Sequence, residues 1–392
     1  KSGSLTAVTR AVNLSPGDPS AYQARAAELT KRGELSLAIE DIRHAITLRS
    51  GDYSLWSELG VDLDRNGEST QALEAFAEAE RLAPGYASTH WDSGKLLLKV
   101  GRREEAFKKF REATLNRPDL FISTLNIAWE AYDGDCVAIE QTVGARDDRE
   151  RLVMAHFFIR NSKPSDAIAL SRKVDNLTKE DRKALVADLV KARSFAEAYA
   201  LWAEGSGRAS ATQTPGTVDD GGFENGQILD DIGFGWTIKK LRATRVSIEK
   251  SEAHTGVSSL RVDWDGNPSS SDATVSQMLI VEPKAHYQLN FVARARDLIT
   301  GGAPVVDVTD VSDGEGEAQR LGQSSSLPLK TTGWEERSVA FTTIDSTRAV
   351  RIALRRENCG QSSCPIFGSL WLDDFSLRRL EVPSTAAGRT FR

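Results

Sequence analysis

Apolar positions follow two regimes along the chain. From residue 5 to about 204 they recur at steps of three and four, the spacing of a helix with one apolar face. From 222 onward that period disappears. The runs 258–262, 277–281, 287–293, 305–308, 338–341, 349–354 and 370–377 are rich in β-branched and aromatic residues, and several alternate apolar and polar side chains. Clusters of Gly, Asn, Asp and Pro separate them. Residues 205–221 are mostly Gly, Ser, Thr and Ala, which reads as a linker. The pattern predicts a helical half, a linker, and about eight or nine strands without a helix among them, arranged as a two-sheet sandwich.

The helical half repeats itself. Gly33, Gly67 and Gly101 are 34 residues apart, and so are Ala38, Ala72 and Ala106. Ala11, Ala45, Ala79 and Ala113 keep the same period. Pro16, Pro84 and Pro118 fall on it too, with Ser50 in the remaining place. Leu29, Leu63 and Leu97 form another column, and Ile42, Phe76 and Phe110 a further one. Each column suits a helix–turn–helix unit. Glycine permits positive φ in the turn. Small alanines let paired helices approach, and proline ends one hairpin before the next begins.

Trp56, Leu59, Gly60, Ala72, Phe76, Ala79 and Pro84 stand in an order that resembles the tetratricopeptide repeat. The resemblance implies an α-solenoid of helix hairpins over 1–120, with degenerate hairpins over 121–204. In that second stretch, 121–145 reads as a helix pair without the Gly and Ala columns. Two helices are expected in 147–175, with Pro164 in a first turn, and a last hairpin in 184–190 and 195–202. The family binds protein segments in a groove lined by the first helix of each repeat. That places Gln23, Ala27, Ser57, Val61, Asp64, Asp92 and Lys95 on the expected groove. They show no strongly basic clamp for a C-terminal carboxylate. The bland alternative for each is a solvated surface position.

Residues 5–15 match the second helix of a repeat, because Ala11 and Pro16 sit on its columns. The array therefore begins mid-repeat. A repeat end needs a polar cap or a cover. Either the chain was cut from a longer precursor, or another molecule covers this end. A head-to-tail cover of that kind can propagate into a filament.

In the strand half, Gly222-Phe223-Glu224-Asn225-Gly226 is followed by Gly235-Trp236, and His254-Thr255-Gly256 leads into Ser259-Leu260-Arg261-Val262. Gln277, the run 287–296, Gly333-Trp334 and the stretch from Trp371 through Asp373-Asp374 to Leu377 follow in order. These motifs resemble the jelly roll of carbohydrate-binding modules of the family 4/9 type, a galactose-binding-like sandwich, over 222–380. The resemblance implies a structural Ca²⁺ held by Glu224 and Asp373 or Asp374, with carbonyls from 250–256. Otherwise these acids are strand-end surface groups. Sugar binding would need an exposed aromatic platform. Trp236, Tyr287 and Trp334 occupy positions that the family packs, while Phe367 and Trp371 are further aromatics. Trp264, between Asp263 and Asp265, is the expected exposed ring, with Arg294, Arg296 and Asp307 as polar contacts or as a solvated strand face.

Composition narrows the classes. The chain has 392 residues, 50 Lys+Arg against 56 Asp+Glu, a net charge of −6 and 40% hydrophobic residues. That is too apolar for a disordered chain, and no run is long enough to span a membrane as a helix. The acidic balance argues against a nucleic-acid partner. Five His and three Cys leave little for a zinc site. Cys359 and Cys364 can close a small disulfide loop or remain two thiols, and Cys136 reads as a buried helical thiol. A disulfide would favour an oxidising site: periplasm, cell surface or extracellular space of a bacterial kind. No signal peptide is visible.

Chemistry is sparse. Gly301-Gly302 and Gly314-Glu315-Gly316 lack a phosphate-loop lysine, no GxSxG occurs, and the histidines are scattered. Glu224 with Asp373-Asp374 could only formally serve as glycosidase carboxylates. The expectation is a non-enzymatic, extracytoplasmic interaction or assembly protein whose partner is another protein or a second copy. The alternative is a carbohydrate-binding accessory of polysaccharide export or ligation, and the third reading is a glycan-active enzyme. A polar tail, 381–392, closes the chain.

Overall fold

The computed structural model describes residues 2–205, 216–225, 234–269, 272–312, 319–360 and 363–381. The expectations for 206–215 of the linker, for Gly226, for Gly314-Glu315-Gly316 and for 382–392 lie outside them. The chain forms two compact units, Lys1–Phe157 and Phe158–Arg392.

The first unit is a run of antiparallel helix pairs. Its helices are α1 (Ser2–Leu14), α2 (Pro19–Arg32), α3 (Leu35–Leu48), α4 (Tyr53–Arg65), α5 (Ser69–Leu82), α6 (Ala87–Lys99), α7 (Arg103–Asn116), α8 (Leu120–Ala131) and α9 (Cys136–Val143). Most of α10 (Asp148–Arg160) also belongs here. The columns explain the pairs. Gly33, Gly67 and Gly101 all take φ between 80° and 87°, the left-handed turn that closes each first helix. Ala38, Ala72 and Ala106 are all 0% exposed, where the paired helices cross. Asp18 and Asp52 cap α2 and α4 by accepting the N–H of Ser20 and Ser54 at 2.9 and 3.0 Å.

The glycine column continues into the degenerate stretch, displaced by one residue. Gly134 takes φ 71°. Asp135, on the old column, caps α9 by accepting the N–H of Val137 and Ala138. Cys136 is buried beside it and donates to the Gly134 carbonyl at 3.8 Å.

The second unit contains the end of α10, α11 (Pro164–Ser171), α12 (Lys179–Lys191) and α13 (Phe195–Gly205), then the strands. Pro164 opens α11 in its first turn. Tyr199 and Trp202 of α13 meet Phe234 edge-on at 5.2 and 6.0 Å. Ten strands follow among the described residues: β1 (Thr237–Ile238), β2 (Thr244–Glu249), β3 (Ser259–Gly266), β4 (Val275–Ile280), β5 (His286–Thr300), β6 (Pro304–Asp310), β7 (Arg320–Gln323), β8 (Glu335–Thr342), β9 (Ala349–Arg356) and β10 (Ile366–Leu380). They build two antiparallel sheets, β1-β4-β9-β6-β7 and β2-β3-β10-β5-β8. Their inner faces share one core that includes Val262, Leu279, Leu289, Val308, Ile352 and Leu370.

One expectation fails here. Trp264 is 3% exposed and belongs to that core. On β3 it shares strand parity with Leu260 and Val262, while Asp263 and Asp265 alternate outward. Cys359 and Cys364 form a disulfide with Cα atoms 6.0 Å apart. No helix among the described residues is long and apolar enough to cross a membrane.

Candidate functional site

The expected groove residues of the first unit lie on α2, α4 and α6, and several bond residues of the neighbouring first helix that were not among those expected. Gln23 donates to Glu58 at 2.9 Å and Lys99 to Asp64 at 2.7 Å, each pair 35 residues apart. Thr89 donates to Ser57 at 3.3 Å, and Lys95 pairs with Asp92 at 2.7 Å within α6. Asp62 accepts from Thr30 at 3.0 Å and is buried. Burial raises the carboxyls of Glu58 and Asp62 above the usual carboxylate range, against the hydrogen bonds from Gln23 and Thr30. Sequence reading missed Glu58 and Asp62. The signal was there: first helices of neighbouring repeats touch at spacings near one repeat length.

At the α1 end the register is broken by exposure. Ala45, Ala79 and Ala113 are 0% exposed, whereas Ala11 of the same column faces solvent. Leu14, on the same helix, is 73% exposed.

In the sandwich, the acids expected to hold Ca²⁺ gather at the segment 250–258, which lies over β10. Glu224 accepts the N–H of Val257 at 3.0 Å and of Ser258 at 3.3 Å. Asp373 accepts N–H from His254 at 2.9 Å and from Asp374 at 2.8 Å. Asp374 binds the His254 ring and the Thr255 hydroxyl. A side chain at Gly256 would collide with Glu224, its Cβ falling 2.0 Å from Oε1, so the His254-Thr255-Gly256 motif serves this closure. Burial raises the Asp373 carboxyl, opposed by the N–H donors. Ca²⁺ takes a shell of oxygen donors. Here N–H and O–H groups point at the carboxylates, and among the described residues no three His, Cys, Asp or Glu side chains converge on a metal position. This donor set holds a loop and does not fit Ca²⁺ as arranged.

The expected sugar contacts do not meet. Trp264 is in the core. Arg294 and Arg296 are on the outer face of the second sheet, both bonded to Glu252. With Arg261 they cover the buried Trp371 ring at 4.9 to 5.9 Å. Asp307 is on the outer face of the first sheet, 2% exposed, with Oδ2 2.9 Å from Arg355 Nε. Its burial raises the carboxyl, and Arg355, Arg320 and Arg351 oppose that rise. The sequence reading missed these arginines. Arg351 and Arg355 carry the strand parity opposite to Val350, Ile352 and Leu354, and that parity marks the outer face.

No protein-family model matches the chain, and no curated protein matches it. Solved structures resemble its two halves. The crystal structure of MamA protein shares 24% identity over 30% of this chain, with a TM-score of 0.28, and the match spans 63% of that chain. A CBM4 structure shares 14% over 42% of this chain and 100% of that one, with a TM-score of 0.32. The CBM22-1 xylan-binding domain from Paenibacillus barcinonensis Xyn10C shares 15% over 44% and 99%, with a TM-score of 0.30. These likenesses concern fold alone.

Proposed function

We propose that the chain is a non-catalytic assembly protein working outside the cytoplasm. Its helical array docks a protein, and the side of α1 turned away from α2 is taken by a second copy. The observation that carries this reading is Ala11. It stands in a column whose other members are sealed by helix packing, yet it is open to solvent beside the exposed Leu14. Repetition of one such contact would give a filament. The Cys359–Cys364 disulfide supports an oxidising compartment.

For the sandwich we propose carbohydrate binding, as an accessory to polysaccharide export or ligation. The outer face of the first sheet, which gathers Arg320, Arg351 and Arg355 around one acid, Asp307, on a chain of net charge −6, supports that reading.

Size-exclusion chromatography with light scattering tests the assembly. The full chain is expected to elute as oligomers, and Ala11→Glu with Leu14→Asp to give a folded monomer. Both positions are exposed, so circular dichroism should not change. A monomeric parent chain at micromolar concentration, or oligomers untouched by both changes, would sink the proposal.

A further inference from the structure

The outer face of the first sheet carries one continuous cross-strand row, Thr237–Ser276–Ala353–Asp307–Gln323. Its centre is floored by short side chains. Two residues to either side of Ala353 on β9 stand Arg351 and Arg355. On the next row β7 sets Arg320 beside Thr309, which in turn faces Arg351. Three guanidiniums therefore surround one carboxylate, Asp307.

The charges do not cancel. Among the described residues of this cluster three cations meet one anion. On the outer face of the second sheet, by contrast, Arg261 bonds Glu249 and Asp263, and Arg294 and Arg296 share Glu252. Arg351 is exposed, and its side chain makes no hydrogen bond or ion pair among the described residues. Among the described residues the Arg320 side chain bonds the neutral Gln323 amide alone, at 2.6 Å. Asp307 itself is 2% exposed, and its Oδ1 has no hydrogen-bond partner. A buried acceptor left unmade is costly, so Asp307 is held for its pairing with Arg355 and not for its own burial.

The chemistry that answers these cations combines carboxylates with hydroxyls. A guanidinium takes a carboxylate through two parallel N–H···O bonds. A hydroxyl can accept from a second arginine. Among the described residues the row and the arginines beside it include no aromatic ring, so stacking of a neutral sugar finds no platform on them. We infer that this arginine-rimmed row binds the uronate residues of an acidic polysaccharide. The inference rests on the sugar-binding reading of the sandwich and names its ligand class. Asp307 acts as a positioning residue that holds Arg355 at the floor, while Arg351 and Arg320 reach the ligand.

Affinity electrophoresis and calorimetry on the full chain provide the test, using polygalacturonate, alginate, fully methyl-esterified pectin, xylan, poly-glutamate and a single-stranded oligonucleotide. Binding to a polyuronate is expected, with loss on methyl esterification and a fall of about tenfold or more in Arg351→Ala with Arg320→Ala. Both side chains lie at the surface, so the unfolding midpoint should stay near that of the parent and separate lost contact from lost fold. Asp307→Asn should weaken binding while the Arg351→Lys variant keeps part of it. Equal binding of poly-glutamate or oligonucleotide would overturn the inference, since it would show bare charge attraction. Polyuronate binding unmoved by the arginine changes would overturn the site. Binding of xylan alone would overturn the acidic ligand and leave the sugar-binding reading standing. Silence toward every glycan would remove both.

Discussion

A β-carbon built on Gly60 would lie 2.7 Å from the Phe76 ring, and one on Gly94 equally close to Phe110. The second member of each pair stands in the Ile42–Phe76–Phe110 column, so glycine and ring meet in two successive repeats, while the repeat before them has Ala26 and Ile42 in the same places. Gly60→Ala should therefore cost about 1–3 kcal/mol through overpacking. Chemical denaturation followed by circular dichroism reads this directly. A loss below about 0.5 kcal/mol would mean that the ring swings aside freely.

Glu58 supplies a pH signature. Burial raises its carboxyl, so the folded chain holds that proton more tightly than the unfolded chain does. The associated stability is present in acid, below the unfolded value, and is lost as pH rises through the folded one. Glu58→Gln keeps an acceptor for Gln23 and abolishes the titration. The variant should match the parent near pH 4 and melt above it at neutral pH. A gain of equal size at both pH values would show that ionisation is not the cause.

Thiol counting tests the disulfide. The three cysteines should give one reactive thiol per denatured, unreduced chain and three after reduction. The bridge spans a sequence separation of five. Loop-closure entropy for so short a ring is about 2 kcal/mol. Cys359→Ser with Cys364→Ser should lower the stability of the sandwich by no more than that. Three reactive thiols before reduction would refute the bridge.

Glu224 and Asp373 hold the 250–258 segment through N–H donors, so chelation should matter little. Thermal melts with excess EDTA and with millimolar Ca²⁺ are expected to coincide. Glu224→Ala leaves two amides without their acceptor and should cost about 1–3 kcal/mol. A clear rise in midpoint with Ca²⁺, abolished by Glu224→Ala, would show a rearranged, oxygen-lined metal site instead.

Local rules carried the fold further than the site. The 34-residue columns describe contacts within one hairpin, where helix period and turn chemistry decide, and they predicted the turns at Gly33, Gly67 and Gly101. A one-residue shift to Gly134 hid the next turn from a fixed grid. Trp264 was misjudged by its acidic neighbours, although its parity with Leu260 and Val262 pointed inward. Asp307 and its arginines come from β6, β7 and β9, and only the strand order brings them together. Alternation gives a residue's face, and pairing gives its neighbours.

The place of β10 in the second sheet has a consequence for synthesis. It lies between β3 and β5, and its Asp373 secures the backbone of His254, 119 residues earlier. Each helix hairpin of the first unit can close on its neighbour soon after it leaves the ribosome. The second sheet cannot join its two sides until β10 has been made. Pairing across such separations is slow. A nascent chain would therefore carry finished hairpins ahead of a sheet still split into its β2–β3 and β5–β8 sides. A chain stalled before residue 366 should be cut readily by protease in its strand half and resist cutting in its helical half.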